Sequence, residues 1–393
     1  MTTLLNRVAR PVKAASRQAQ ALVIAGALTV VAGAPSASAE DIKIGVPLSL
    51  SGSVAFAGTK MREAMELAFE EVNSSGYLGA NKLVPVWADD RSSQPQGISV
   101  TQQLALRDNV SAIVGYTASN ICLASLPVAQ ELKVPTLQSD CVVPGLDAIG
   151  NYVYNGVRPY ESFVLELVDK LVPAKQIKTA AVIYLRENPV FTRLAPAITK
   201  AFEKNGVKVV ATEAVTGGGD ADFSAQLTAI ANTKPDILAI LTLGGQVGPV
   251  MVQARRAGME KTLFIGEQSF DSADVRRIAG PNAAGAYYPS HWFADSPLPR
   301  NQAYVKAYRA KYNRDPDTFA TNGYNGVWLI AQIVKKAGSG DRAKILAAME
   351  SPGVYETVFG TEGKTKFENR MLTMTPFFFT IGADGKIARF EGK

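Results

Sequence analysis

The sequence predicts an α/β protein made of two doubly wound parallel-sheet lobes with a ligand cleft between them. Three observations lead there. Short apolar runs alternate with segments of helical periodicity from Ile42 to Gln138, the pattern of parallel strands joined by crossover helices. The same rhythm restarts after Pro159 and continues to Gly266. No Pro/Ser/Gly-rich linker lies near 151–162, so the two halves are expected to be tightly joined.

In the first series, Ile42 to Leu50 reads as a buried parallel strand. Met61, Ala64, Met65, Ala68, Phe69 and Val72 then recur at helical spacing. Leu83 to Trp87 is a strand, and Pro85 within it cannot donate to a ladder, which assigns it to a sheet edge. Helix Gln94–Arg107, strand Ala112–Tyr116, helix Ile121–Glu131 and strand Pro135–Gln138 follow. The second series reads helix Glu161–Leu171, strand Thr179–Tyr184, helix Thr192–Asn205 and strand Lys208–Val215. Helix Phe223–Ala231, strand Ile237–Leu243, helix Val247–Ala257 and strand Leu263–Gly266 complete it. After Ala286–Tyr288 the alternation stops, and helices near Asn301–Tyr312, Gly323–Ala337 and Asp341–Glu350 come without strands between them. Phe377–Ile381 and Ile387–Phe390 flank Gly382-Ala383-Asp384-Gly385, a hairpin turn.

Residues 1–39 read as an export signal. Arg7, Arg10, Lys13 and Arg17 form a basic leader, Ala21–Ala32 is an apolar run, and Ala37-Ser38-Ala39 is a small-x-small cleavage site. That run falls short of the ~20 residues a membrane span needs. The mature chain is expected to start at Glu40 and to work in a bacterial periplasm. Of 41 Lys and Arg, those four belong to the leader, and 35 Asp and Glu oppose the rest. The mature chain is thus near neutral, with no nucleic-acid footprint. One histidine, His291, and two cysteines, Cys122 and Cys141, leave little for a histidine-based metal site or a catalytic triad. No cofactor is expected. Gly217-Gly218-Gly219 precedes Asp220 and Asp222, acids that would repel phosphate, so it reads as a turn. Cys122 and Cys141 sit at a helix start and at the end of the adjacent strand. In an oxidising compartment a disulfide is expected there, with two buried thiols as the alternative.

Several ordered segments resemble the leucine/isoleucine/valine-binding type of periplasmic solute-binding protein. They are Ile42-Lys43-Ile44-Gly45-Val46-Pro47-Leu48-Ser49-Leu50-Ser51-Gly52, Gly58 opening a helix, Asn73-Ser74-Ser75-Gly76 ending it, and Asp89-Asp90. Val114-Gly115-Tyr116 leading into Thr117-Ala118-Ser119, Asp222-Phe223-Ser224, Pro235-Asp236 and Gln253-Ala254-Arg255-Arg256-Ala257-Gly258 continue the match. The resemblance implies a type I periplasmic binding fold with a three-strand hinge crossing near 158, 288 and 368. Lobe 1 would be 40–158 with 289–367 returning to it, and lobe 2 would be 159–288 with 368–393. It further implies a non-enzymatic monomer that delivers a small-molecule ligand to the membrane permease of an ABC importer. A ligand-sensing receptor subunit on the same fold is one alternative. A secreted hydrolase using Ser119 or a cysteine is another, against which the missing base argues.

The same resemblance places the ligand carboxylate at Thr117-Ala118-Ser119, where a helix N-terminus offers unpaired N–H groups and a positive dipole end. Ser119 either donates to the ligand or caps its helix. Asp140 and Cys141 lie in the neighbouring loop, and Phe56 matches a covering loop or packs within its lobe. The family's ammonium-binding acids match Tyr160 and Gln268, neither of which carries charge, although a one-residue slip would bring in Glu161 or Glu267. Arg186, Asn188 and Val190 fall at further ligand-facing positions, and Gly244-Gly245 replaces bulk with room. Arg186 either pairs a second anionic group or lies on the surface. The ligand expected from these departures is a carboxylate without an amine, aromatic or aliphatic. The alternative is a branched-chain or other amino acid.

Overall fold

The computed structural model describes residues 39–142, 145–216 and 222–392. The chain divides into two units, Met1–Ala39 and Glu40–Lys393, and every strand and helix named below belongs to the second. The leader, the Ala37-Ser38 part of its cleavage site and the Gly217-Gly218-Gly219 turn lie outside the described residues.

The first series forms β1 (Asp41–Leu48), α1 (Ala55–Ser74), β2 (Lys82–Asp89), α2 (Gln94–Gln102), β3 (Ala112–Gly115), α3 (Ser119–Glu131), β4 (Thr136–Gln138) and β5 (Val153–Asn155). The second forms α4 (Tyr160–Lys175), β6 (Thr179–Leu185), α5 (Pro189–Lys204), β7 (Lys208–Val215), α6 (Ser224–Asn232), β8 (Ile237–Leu241), α7 (Gly244–Arg256), β9 (Leu263–Ile265), α8 (Ala273–Ala279) and β10 (Ala286–Ser290). Then come α9 (Pro299–Tyr312), α10 (Thr318–Ala337), α11 (Arg342–Glu350) and a small ribbon, β11 (Tyr355–Glu356) with β12 (Lys364–Thr365). The chain ends in β13 (Phe367–Glu368), β14 (Met371–Leu372), β15 (Phe377–Ile381) and β16 (Ile387–Arg389).

Two seven-stranded sheets result, ordered β13-β14-β5-β4-β3-β1-β2 and β16-β15-β10-β9-β8-β6-β7. Each has five parallel strands in one order and a two-stranded addition at the far edge. β2, which holds Pro85, is an edge strand, as the missing donor requires. In both sheets the winding reverses beside the first strand, between β1 and β3 and between β6 and β8. Crevices open at the C-terminal ends of such strand pairs.

The late helices return to the first lobe. α10 packs on α1, and a Cβ on Gly323 would stand 2.7 Å from the Met61 carbonyl oxygen. Glycine at that position permits the close approach. Tyr304, Val327, Leu329 and Ile330 join Ile42, Ile44, Met61 and Met65 in one core. A separate core holds Val164, Ile183, Ile240 and Phe264 in the second lobe. The chain passes between the sheets at 156–159, 291–298 and 373–376. The last passage is later than the expected 368, because β13 and β14 still pair in the first sheet. The second begins after Ser290 rather than at 288, since β10 runs that far.

Candidate functional site

On the first lobe, the turn from β3 into α3 is sharp. Gly115 takes φ +155°, and its Cβ would meet the Pro47 carbonyl oxygen at 2.6 Å. Tyr116 is left-handed at φ 63°, a rare conformation for a bulky residue. Its hydroxyl bonds Thr101 Oγ1 at 2.9 Å, in the interior. Thr117 accepts a hydrogen bond from the Ser49 N–H at 3.1 Å, tying the loop after β3 to the loop after β1. Ala118, not Ser119, is the cap residue of α3, and no side chain caps that helix. The Ser119 hydroxyl instead accepts from the Val142 N–H at 3.3 Å. Within the first turn of α3 the Ile121 N–H bonds the Ala118 carbonyl at 3.0 Å, while the Ser119 and Asn120 amides have no preceding helical turn to bond.

The loop after β4 is clamped against this turn. Cys122 and Cys141 form a disulfide with Cα atoms 6.5 Å apart. Gln138 receives the Cys141 N–H at 2.6 Å and donates to the Cys141 carbonyl at 2.9 Å. Asp140 is thereby fixed beside the start of α3, buried. Burial raises its pKa well above the carboxylate range, and Asp317 and Glu267 push it further the same way.

Asp140 ends a buried chain of hydrogen bonds. The Tyr160 hydroxyl lies 2.9 Å from His291 Nδ1, and His291 Nε2 lies 2.7 Å from Asn322 Oδ1. Asn322 Nδ2 donates to Asp140 Oδ1. Desolvation lowers the His291 pKa to about 4, so the ring is neutral. The Asn322 oxygen can only accept, so the His291 Nε2–H donates and Nδ1 accepts from Tyr160. Every donor then points toward Asp140. The chain starts on α4 of the second lobe and runs through the passage after β10 into α10 of the first.

The second jaw is built around Gln268. It is 7% exposed, and its Oε1 has no partner among the described residues. Glu267 accepts from the Ser269 N–H and hydroxyl. Desolvation raises its pKa to about 7, against those two bonds. Gly244 opens α7, and its Cβ would lie 3.6 Å from Ser269 Cβ, while Gly245 has nothing within 4 Å. Asn188 caps α5, accepting from the Val190 N–H at 2.9 Å. Arg186 is exposed, and Val190 packs against the core. Phe56 is 48% exposed and meets Phe319 edge-on at 5.8 Å.

The structure therefore brings Thr117, Ala118, Ser119, Asp140 and Cys141 together on one jaw, and Gly244 and Gln268 on the other. It gives Tyr160 and Asn188 internal hydrogen bonds. The cleft is not free of acid: Glu267 acts electrostatically on Asp140, and both act on Tyr160. Sequence reading missed Asn322 and His291 as partners of Asp140. Asn322 and Asn325, two amides inside an otherwise apolar helical pattern, were the available signal. Among the described residues no cluster of three or more His, Cys, Asp or Glu side chains could hold a metal ion. Among them, too, no helix is long and apolar enough to cross a membrane.

Comparison with known proteins decides the family. The family model described as periplasmic binding protein matches residues 41–386. The chain belongs to the periplasmic binding protein family. It is of the leucine/isoleucine/valine-binding type. Leu/Ile/Val-binding protein homolog 3 of Brucella melitensis is 28% identical over 367 residues, 93% of this chain and 98% of that one. A leucine-, isoleucine-, valine-, threonine- and alanine-binding protein of Pseudomonas aeruginosa is 25% identical, over 88% and 91%. The solved branched-chain amino acid transporter substrate binding protein LivJ of Streptococcus pneumoniae, in complex with isoleucine, superposes with a TM-score of 0.81 at 26% identity. That superposition covers 89% of this chain and 99% of LivJ.

Proposed function

We propose that this periplasmic binding protein is exported, acts as a monomer, and captures a small zwitterionic carboxylate for an ABC permease. The carboxylate sits on the first turn of α3 at Ala118 and Ser119, and the amine sits between Asp140 and Glu267. One observation carries the reading. Asp140 is buried beside an anion-attracting helix start, and no cation stands against it among the described residues. A buried carboxylate without a cation is costly. An ammonium next to the ligand carboxylate would relieve it, whereas a bare carboxylate would be repelled by it. The names of the Brucella and Pseudomonas relatives and the isoleucine in LivJ agree with an amino-acid-type solute.

A second reading is an aromatic or aliphatic acid without an amine. Gln268 favours it, as does the engagement of Tyr160 by His291, since neither supplies a charge for an ammonium. A solute-binding protein of R. palustris in complex with benzoate shares the fold at a TM-score of 0.76 and 22% identity. On this reading Asp140 binds the ligand as the neutral acid. Calorimetry of amino acids against the corresponding amine-free acids separates the two. Asp140→Asn should weaken an amino acid by roughly 10- to 100-fold, the scale of a hydrogen bond to a charged group, and should leave or improve an amine-free acid. The opposite pattern rejects the first reading.

A further inference from the structure

Three polar atoms on the second jaw are buried and have no partner among the described residues: Thr242 Oγ1, Gln246 Oε1 and Gln268 Oε1. Thr242 follows β8 at the point where the second sheet reverses its winding, and it is 0% exposed. Gln246 lies in the first turn of α7, and Gln268 follows β9. The start of α7 and the Gln268–Ser269 turn are neighbours, as the Gly244–Ser269 approach shows. All three residues thus stand at the C-terminal edge of the sheet, and Glu267, next to Gln268, is close enough to Asp140 for its charge to act on it. Beside them Gly245 leaves open space.

Natural interiors rarely leave such groups unpaired, because each one forfeits its bond to water and gains none in return. A purely aliphatic ligand body would seal all three against hydrocarbon and make that cost permanent. A body bearing hydroxyl or amide groups would satisfy them.

We propose that Thr242, Gln246 and Gln268 form a polar subsite that selects solutes whose body carries a hydroxyl or carboxamide, and that disfavours bare branched aliphatic chains. The inference rests on the cleft being the solute site, but not on whether the solute has an amine. Two amides and a hydroxyl each donate as well as accept, so the subsite is neutral and serves either ligand class. The same three atoms make the ligand-free jaw less stable than an apolar one would be, a common signature of groups reserved for binding.

The test uses matched probes on the mature protein: glutamine against leucine, and 4-hydroxybenzoate against benzoate. In at least one pair the polar member should bind about 10-fold tighter or better. Thr242→Val and Gln268→Leu should cut that ratio below about 3-fold while keeping or raising the melting temperature of the ligand-free protein. Aliphatic or unsubstituted probes binding as tightly as their polar partners in both pairs overturn the proposal. So do failure of both polar probes to bind, and variants that lose stability without changing the ratio, since the groups would then be structural. Ser119→Ala monitors the cleft reading separately, because it should weaken both members of a pair equally. A Ser119→Ala protein that binds every probe as the wild type does would place the solute elsewhere.

Discussion

Asp140 is buried and Glu267 half-buried, and the two acids have different supports. Asp140 is the end of a one-directional chain from Tyr160 through His291 and Asn322. Glu267 is held by the turn it begins. Because the Glu267 pKa is raised from 4.5 to about 7, the folded protein keeps a proton that the unfolded chain has already released. Stability from this group is therefore full below the unfolded value and declines as pH rises from 4.5 to 7, by at most ~1.4 kcal/mol per pH unit. Glu267→Gln should flatten that part of the profile in urea titrations across the window. The same proton reports on the ligand. An amine-bearing solute favours the ionised acids and should release protons near neutral pH. Calorimetry in two buffers of different ionisation enthalpy would read the sign, and proton uptake would speak for an amine-free acid.

At the scale of elements, the disulfide joins the two pieces of chain that carry the first jaw. Cys122 is one turn into α3, and Cys141 follows Asp140 directly. Its cross-link closes a short loop, for which chain entropy gives ~3 kcal/mol. It should act on affinity as well, since it holds Asp140 at a fixed distance from the Ser119 turn. A Cys122→Ser/Cys141→Ser protein should still fold on its two large cores and should lose about 10-fold or more in ligand affinity. An unchanged dissociation constant would limit the bond to stability. Unreduced mass spectrometry should show the wild type lighter by two hydrogens. Much at this scale was legible in the sequence. Pro85 marked an edge strand, and the alternation marked the two windings. β5 was not legible, because three residues between Asn151-Tyr152 and Gly156 are too few to show a period. β13 and β14 have two residues each, and only their partners make them strands. The acceptor role of Asp140 was invisible too, since Asn322 lies 182 positions away.

For the whole molecule, the question is what holds the jaws together. Asp271, on the second lobe, accepts from the Thr318 hydroxyl at the start of α10 on the first, at 2.7 Å. It also accepts from the Tyr288 hydroxyl at 3.3 Å, and Arg276 stands 3.9 Å away. Burial raises the Asp271 pKa, opposed by the Thr318 bond and the Arg276 charge. We propose that this latch forms only when the lobes close, the arrangement in which a ligand would touch both jaws. A ligand shifts a hinge only by its differential affinity for the two states, and a bond made only on closure adds to that difference. Thr318→Ala deletes the donor while Tyr288 and Arg276 still face the carboxylate. Because Thr318 is buried, the variant should also lose about 1 kcal/mol of stability, read separately by urea titration. Ligand affinity should fall about 3- to 10-fold, the scale of one net hydrogen bond of ~1 kcal/mol, and most of the fall should lie in the dissociation rate, as it does for most interface changes. Stopped-flow fluorescence would separate the rates. A slower association with unchanged dissociation would mean that Thr318 guides closure rather than holding it.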